Sequence, residues 1–209
     1  GGVYSAPMAE FVLGGILQLY KESKFFAENQ AAHRWEKHRG LRELSGKTAC
    51  IIGTGSVGSA IARRLRAFDV QTVGMNRSGH PAAEFDQTQP TCRLDDLLPL
   101  ADLVICAMPL TAETAGLFDS ARLAKIKSGA VFVNVARGKV TDQQALVEAL
   151  QSGQLSGAVL DVFEEEPLPR SSPLWDMEQV ILTPHNSFVG EHNGERLFKC
   201  IKEHLYELS

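Results

Sequence analysis

The sequence predicts an α/β fold: a doubly wound parallel sheet with helices on both faces. Three observations predict it. Residues 47–58 read as a short β-prone strand, a glycine turn and the opening of a helix. The almost wholly apolar stretch at 103–107 suits a strand covered on both faces, as in parallel sheets. Strand-like and helix-like segments alternate along the chain, the pattern of a doubly wound sheet.

The glycine turn organises the rest. Gly53-x-Gly55-x-x-Gly58 separates the strand from a helix in which Val57, Ala60, Ile61 and Leu65 recur at helical spacing. Arg63, Arg64 and Arg66 are left for the outer face. The first glycine permits a tight turn, the second lets backbone approach a pyrophosphate, and the third allows close helix–strand packing. Ser56 and Val57 open the helix, whose free N–H groups and positive dipole end would face the phosphates. In this setting the motif reads as a Rossmann-type dinucleotide site; a purely structural turn is the plain alternative.

The following strand, 70–75, decides which dinucleotide. An acidic residue roughly 20 residues beyond the motif binds the ribose 2′-hydroxyl in NAD sites. Asn76 stands there instead, followed by Arg77 and Ser78. No carboxylate repels a 2′-phosphate, and a guanidinium and a hydroxyl could bind it. NADP(H) is therefore the expected cofactor, with NAD(H) the second choice and a solvated turn arginine the plain alternative.

Taken in order, Ser5-Ala6-Pro7 reads as a helix start with Ser5 as N-cap. The helix runs through Phe11, Ile16 and Tyr20 to about Ala27, with an apolar surface too wide for one-sided packing. Gly14 and Gly15 would let another backbone come close. The helix is expected between two bodies, its own sheet and a partner subunit, or else as a central core helix. Residues 29–44 read as a basic, polar arm with Trp35 as its large anchor. Residues 79–90 read as a polar connection, and 94–100 as a short helix with Asp95 or Asp96 near its start. The strand at 103–107 ends in Met108-Pro109-Leu110-Thr111, a candidate cofactor wall, because ligands of such sheets bind beyond the strands' carboxyl ends. A helix at 119–125 precedes the strand 130–135, which ends in Ala136-Arg137-Gly138. Asp142, or alternatively Thr141, caps a helix at 143–151 that Gly153 stops. Strands at 157–162 and 180–182 follow, ending at the Glu164-Glu165-Glu166-Pro167 turn and at Thr183-Pro184-His185. A last helix is expected from Phe188 to about Leu208.

Composition bounds the function. The 209 residues are 44% hydrophobic and 22% charged, ordinary for a globular domain, and the net charge of −4 gives no electrostatic attraction to nucleic acid or anionic membranes. The apolar stretch 11–19 is too short to span a bilayer, and there is no signal-peptide pattern. Cys50, Cys92, Cys106 and Cys200 are widely spaced with no metal-ligand pattern, which reads as reduced cysteines of a cytoplasmic protein and no metal site. The chain opens Gly-Gly without Met, so a fragment or processed product is expected.

Arg137, Glu166 and His185 lie at or beyond the carboxyl ends of expected strands. Singly, each is a surface charge, a solvated acidic turn or a loop histidine. Five stretches carry a further reading: Leu44-Ser-Gly-Lys-Thr with its glycine motif, Met108-Pro-Leu-Thr-Ala-Glu-Thr, Val133-Asn-Val-Ala-Arg-Gly, Leu160-Asp-Val-Phe-Glu-Glu-Glu-Pro-Leu and Leu182-Thr-Pro-His. In order and spacing, across nearly the whole chain, they resemble the D-isomer-specific 2-hydroxyacid dehydrogenases.

That resemblance implies hydride transfer between NADP(H) and a small 2-oxo acid such as glyoxylate or hydroxypyruvate. It implies that Arg137 binds the substrate carboxylate, a fork-to-fork contact that Lys could not copy. It makes His185 the general acid and Glu166 the carboxylate that holds and charges the imidazole. Asp161 would accept from the nicotinamide carboxamide. Pro109, Thr111, Thr114 and Ala136 would line the cofactor, and Met8 would touch the nicotinamide face. Related formate dehydrogenases carry Gln where Glu166 stands, which disfavours formate. Complete relatives have a further domain-sized stretch before the position of Gly1, forming most of a substrate domain. The implied organisation is a dimerisation helix and arm over 1–44, a dinucleotide-binding domain over 45–185, and a helix over 186–209 returning toward the substrate domain. A homodimer through the first helix and arm is implied. The alternative is a cofactor-binding, dimerising module without turnover, for which the family's corepressors give precedent.

Overall fold

The computed structural model describes residues 2–207. It contains α1 (Ser5–Tyr20), α2 (Ser23–Ala31), β1 (Thr48–Ile52), α3 (Ser56–Arg66), β2 (Gln71–Asn76), β3 (Gln87–Pro90) and α4 (Leu94–Leu97). Then come β4 (Leu103–Cys106), α5 (Ser120–Lys125), β5 (Ala130–Asn134), α6 (Gln143–Gln151), β6 (Leu155–Leu160), β7 (Val180–Leu182) and α7 (Asn193–Glu207). The seven strands form one sheet in the order β3-β2-β1-β4-β5-β6-β7, and every pairing is parallel. The strand order reverses between β1 and β4, so their carboxyl ends open the crevice in which such sheets bind ligands.

Alternation along the buried strands builds two cores. Cys50, Ile52, Val104, Cys106 and Phe132 face one side with residues of α5 and α6. Ala49, Ile51, Leu103, Ile105 and Val131 face the other with α1 and α3. Both faces are therefore covered, as the apolar strands required. Burial pushes the Cys50 thiol up to about 12 and that of Cys106 well above its usual range, so neither is a nucleophile at neutral pH.

Several boundaries differ from the sequence reading. Ser5 is the first helical residue of α1, not its N-cap, and its hydroxyl donates to the Gly2 carbonyl. The expected single helix to Ala27 breaks after Tyr20. Glu22 takes φ +50° there, and Lys21 Nζ donates to the Arg42 carbonyl at 2.7 Å, a tertiary anchor that local propensity does not encode. The polar arm begins later than expected, because α2 runs to Ala31, and Trp35, the expected anchor, is 98% exposed. The polar connection contains β3, an edge strand paired to β2, where one covered side tolerates Gln, Thr and Pro. The strand expected at 157–162 is β6, shifted two residues earlier at both ends. The last helix starts at Asn193 rather than Phe188; Phe188 instead stacks edge-on against Tyr4 and His185. The expected end at Leu208 lies outside the described residues, as does Gly1.

α1 packs into the same core as α3. Gly15 sits directly over the Val159 side chain of β6, whereas Gly14 faces open space. Arg64 does not lie on a free outer face: it pairs with Glu10 of α1 at 2.8 Å. Asp119 and Asp142 cap α5 and α6 by accepting from Arg122 N and Ala145 N; Thr141 caps nothing. Among the described residues, no helix is long and apolar enough to cross a membrane.

Three aspartates tie neighbouring elements together: Asp95 joins α4 to α5, and Asp86 and Asp102 tie loops to β2 and β1. Hydrogen bonds from Lys125 and Arg122 hold Asp95 below the usual carboxylate range, outweighing its burial. Burial pushes Asp102 and Asp86 up. The Lys127 ammonium and Thr48 N–H more than offset this at Asp102, and the Thr72 N–H and hydroxyl with Arg66 do so at Asp86. Because these folded-state values are lowered, their stabilisation is present above the ordinary carboxylate pKa of about 4 and is lost as pH falls through the folded values. The urea midpoint should therefore drop between pH 7 and pH 3. An unchanged midpoint would show that these ties do not contribute.

Candidate active site

The crevice is built from turns at the carboxyl ends of β1, β4, β5, β6 and β7. After β1, Gly53 takes φ +108°, and a Cβ there would sit 2.6 Å from the Ala107 carbonyl oxygen beyond β4. A Cβ on Gly58 would overlap the Gly53 carbonyl. Both positions need glycine for the turn to close against α3 and the neighbouring strand. Gly55 precedes α3 in extended conformation and no side chain caps the helix, so the helix's positive end faces the turn above Ser56 and Val57. This cradle fits a pyrophosphate.

At the end of β2, Asn76 ties the turn together. Its amide donates to Thr54 Oγ1 (3.2 Å) and the His80 carbonyl (2.8 Å), and its Oδ1 accepts from Gly79 N (2.6 Å). Asn76 thus shapes the loop that carries Arg77 and Ser78. Arg77 pairs with Glu113 at 2.7 Å, with both side chains largely exposed, a contact of little energy that a competing anion can displace. In the loop after β4, the Thr114 hydroxyl accepts from Thr111 N at 2.7 Å and donates to the Pro109 carbonyl at 2.8 Å. Thr114 therefore sets the loop's shape.

After β5, buried Asn134 folds the next turn. Its Oδ1 accepts from Ala136 N at 3.0 Å and its amide donates to the Arg137 carbonyl at 3.2 Å. The Arg137 side chain is exposed and donates to the Ala136 carbonyl. Gly138 follows in direct contact with the next loop: a Cβ there would overlap the Phe163 carbonyl. In that loop Glu166 Oε1 accepts from Phe163 N at 3.0 Å, and its Oε2 lies 2.8 Å from His185 Nδ1. The Glu166–Pro167 peptide is cis.

Burial pushes the Glu166 carboxyl up. Hydrogen bonds from His185 and Phe163 N, with the charges of His185 and Arg137, hold it below the usual range nonetheless. An ionised carboxylate only accepts, so His185 donates through Nδ1 and leaves Nε2 free for other chemistry. His185 itself has φ +52°.

A cavity of about 490 Å³ brings these turns together, lined by Met8, Val57, Pro109, Ala136, Arg137 and His185, among others. Glu166 stands behind His185 in the wall of a neighbouring cavity of about 650 Å³. Arg137 and His185, 48 residues apart in sequence, thus share one wall beside the first turn of α3. Asn76, Arg77, Ser78, Thr111 and Thr114 do not line that cavity. Asp161 is fully buried beneath the His185 turn. Sequence reasoning missed Asn134, Gly138 and Thr183 as site-forming residues. Asn134 carried the one available signal, a polar residue closing an apolar strand just before a turn.

Comparison with known proteins gives the family and the fold. The family profile described as D-isomer specific 2-hydroxyacid dehydrogenase, NAD binding domain, matches residues 13–187. The chain is 36% identical over 210 residues to glyoxylate/hydroxypyruvate reductase B of Citrobacter koseri, covering 98% of this chain and 65% of that protein. It thus spans about two thirds of the length of the curated relatives it matches. A D-isomer specific 2-hydroxyacid dehydrogenase family protein from Aeromonas salmonicida superposes with a TM-score of 0.90 at 36% identity, over 100% of this chain and 66% of that one. An NADPH-dependent glyoxylate/hydroxypyruvate reductase from Sinorhizobium meliloti, solved with NADP and sulfate, superposes with a TM-score of 0.86 at 30% identity, over 99% and 66%.

Proposed function

The chain belongs to the D-isomer specific 2-hydroxyacid dehydrogenase family, and from that premise we propose that it serves NADPH-dependent reduction of a small 2-oxo acid, of the glyoxylate or hydroxypyruvate type, to the D-2-hydroxy acid. The observation that carries this reading is the shared wall of Arg137 and His185 beside the glycine turn, with Glu166 behind the imidazole at 2.8 Å.

Gly53, Gly55, Ser56, Val57 and Gly58 hold the pyrophosphate on backbone. Arg77 and Ser78, on the loop that Asn76 shapes, take the 2′-phosphate. Pro109, Thr111, Thr114 and Ala136 wall the cofactor, and Asp161 Oδ2, with one donor of its own, has capacity for the carboxamide. Bound there, NADPH supplies the hydride. Arg137 holds the substrate carboxylate and so fixes which carbonyl face is presented. His185 Nε2 gives its proton to the carbonyl oxygen, while Glu166 keeps the ring in one tautomer and orientation. The reading extends to a cytoplasmic homodimer joined through the open side of α1 and the arm. Gly14 and the fully exposed Trp35 on that surface support it.

The test titrates NADPH by fluorescence and then adds glyoxylate or hydroxypyruvate. NADPH oxidation with D-2-hydroxy acid formed is expected; binding without oxidation would reduce the chain to a cofactor-binding module. The kcat/KM ratio should favour NADPH over NADH by about tenfold or more, the usual worth of a charge-assisted contact, and Arg77→Ala should erase most of it. A clear NADH preference would reject the 2′-phosphate assignment.

A further inference from the structure

We propose that Asp161 is a positioning residue whose buried carboxylate straps the Thr183–Ser187 turn and thereby fixes the backbone of His185. The inference rests on the reading of His185 as proton donor and adds what holds it. Asp161 follows β6 directly and is 0% exposed. Its Oδ1 accepts from the Thr183 hydroxyl at 2.6 Å and from Asn186 N at 2.7 Å, and its Oδ2 accepts from Ser187 N at 3.0 Å. Its main-chain carbonyl accepts from His185 N at 2.8 Å. Every one of these donors comes from His185 or a residue within two positions of it.

A buried carboxylate is costly unless it is hydrogen-bonded, and here the turn supplies three donors to it. The exchange constrains the turn in return. At φ +52° His185 occupies a region that side-chain-bearing residues avoid, and such a conformation persists only where its surroundings over-determine it. The bonds flanking His185 on both sides supply that constraint. A ring carried by a looser, extended backbone would leave Glu166 or the cavity. Asp161 is linked to the other functional turn as well: its N–H donates to the Asn134 carbonyl at 3.0 Å, and Asn134 folds the turn of Arg137. Two polar residues at the ends of adjacent strands therefore hold the guanidinium and the imidazole in one frame.

Thr183 separates this role from a cofactor contact, because removing its hydroxyl leaves the Asp161 carboxylate in place. In the full-length polypeptide, Thr183→Val should lower kcat by about tenfold or more while KM for NADPH and for the 2-oxo acid stays within about twofold. Thr183→Ser should restore kcat. In the cofactor-free protein, both Thr183→Val and Asp161→Asn should change the three-bond HN–Hα coupling of His185 and speed amide exchange at Asn186 and Ser187. If Thr183→Val retains kcat and the His185 coupling, the strap is overturned. If Asp161→Asn leaves these amides protected and only weakens NADPH binding, Asp161 is a cofactor contact alone. Should Asp161→Asn fail to fold, the milder Thr183→Val carries the test. Should the wild-type protein never oxidise NADPH with a 2-oxo acid, the functional reading fails, yet the coupling and exchange measurements still decide the strap.

Discussion

His185→Ala is expected to lower kcat for 2-oxo acid reduction by about a hundredfold or more, the usual worth of a positioned general acid. The argument runs through the hydrogen-bond inventory of the site. Glu166 is ionised and accepts from Phe163 N and His185 Nδ1, so it has no proton of its own to deliver. Arg137 is assigned to the substrate carboxylate, and its guanidinium already donates to the Ala136 carbonyl. Among the residues assigned to the cavity chemistry, His185 offers Nε2 as the donor left open, because its Nδ1 is committed to Glu166. Nicotinamide cofactor affinity should stay nearly constant in this variant, because the cradle assigned to the pyrophosphate is backbone of the Gly53–Gly58 turn, which His185→Ala leaves in place. Arg137→Ala should instead act mainly through KM for the 2-oxo acid, because it removes binding shared by ground and transition states. Steady-state kinetics with either varied substrate checks both outcomes. A His185→Ala enzyme with near-normal kcat would remove the imidazole from the proton transfer.

The parts of the fold legible in the sequence were those where one residue type answers one physical demand. Gly53 and Gly58 stand where no Cβ fits, and Asp142 stands where a helix needs a cap. The runs at Leu103–Cys106 and Ala130–Asn134 are apolar because both faces are covered. The elements that escaped are set by tertiary contacts. Gln87–Pro90 becomes a strand because β2 offers a free edge, and its own composition argues against it. The break after Tyr20 depends on Lys21 reaching Arg42 across the fold.

The candidate site divides the same way. Arg137, Glu166 and His185 could be grouped only through resemblance, because no spacing rule links residues brought together by sheet order. Asn134 offered only a polar residue at the end of an apolar strand, and Thr183 offered nothing. Their work is to hold a turn, and which turn becomes clear only once β5, β6 and β7 lie side by side. Asp161 shows how resemblance can name a residue and still omit part of what it does: the implied carboxamide contact gives no hint of the three donors its carboxylate already takes from its own chain.

Gly138→Ala is expected to damage stability and catalysis together, from the addition of a single methyl group. The methyl would overlap the carbonyl carbon and oxygen of Phe163, and a backbone atom cannot swing aside as a flexible side chain can. Either the Arg137–Gly138 turn or the Phe163–Glu166 loop must move. Moving the first shifts the guanidinium, whose turn is pinned by Asn134 to β5. Moving the second displaces Phe163, whose N–H holds Glu166, and through Glu166 the imidazole. The loop has little freedom to yield elsewhere, because Glu164 and Gln143 bond each other's backbone N–H, at 2.9 Å to Gln143 N and 3.3 Å to Glu164 N. Overpacking of this kind costs about 1–3 kcal/mol, which should lower Tm by several degrees. A displacement of about 1 Å at the reacting groups costs about a hundredfold in kcat/KM. Thermal unfolding and kinetics on the same preparation check both. If Gly138→Ala keeps its Tm and its kcat/KM, the two loops are not packed as closely as this geometry requires. If Tm falls while kcat/KM holds, the contact stabilises the fold without positioning Arg137 and Glu166 against each other.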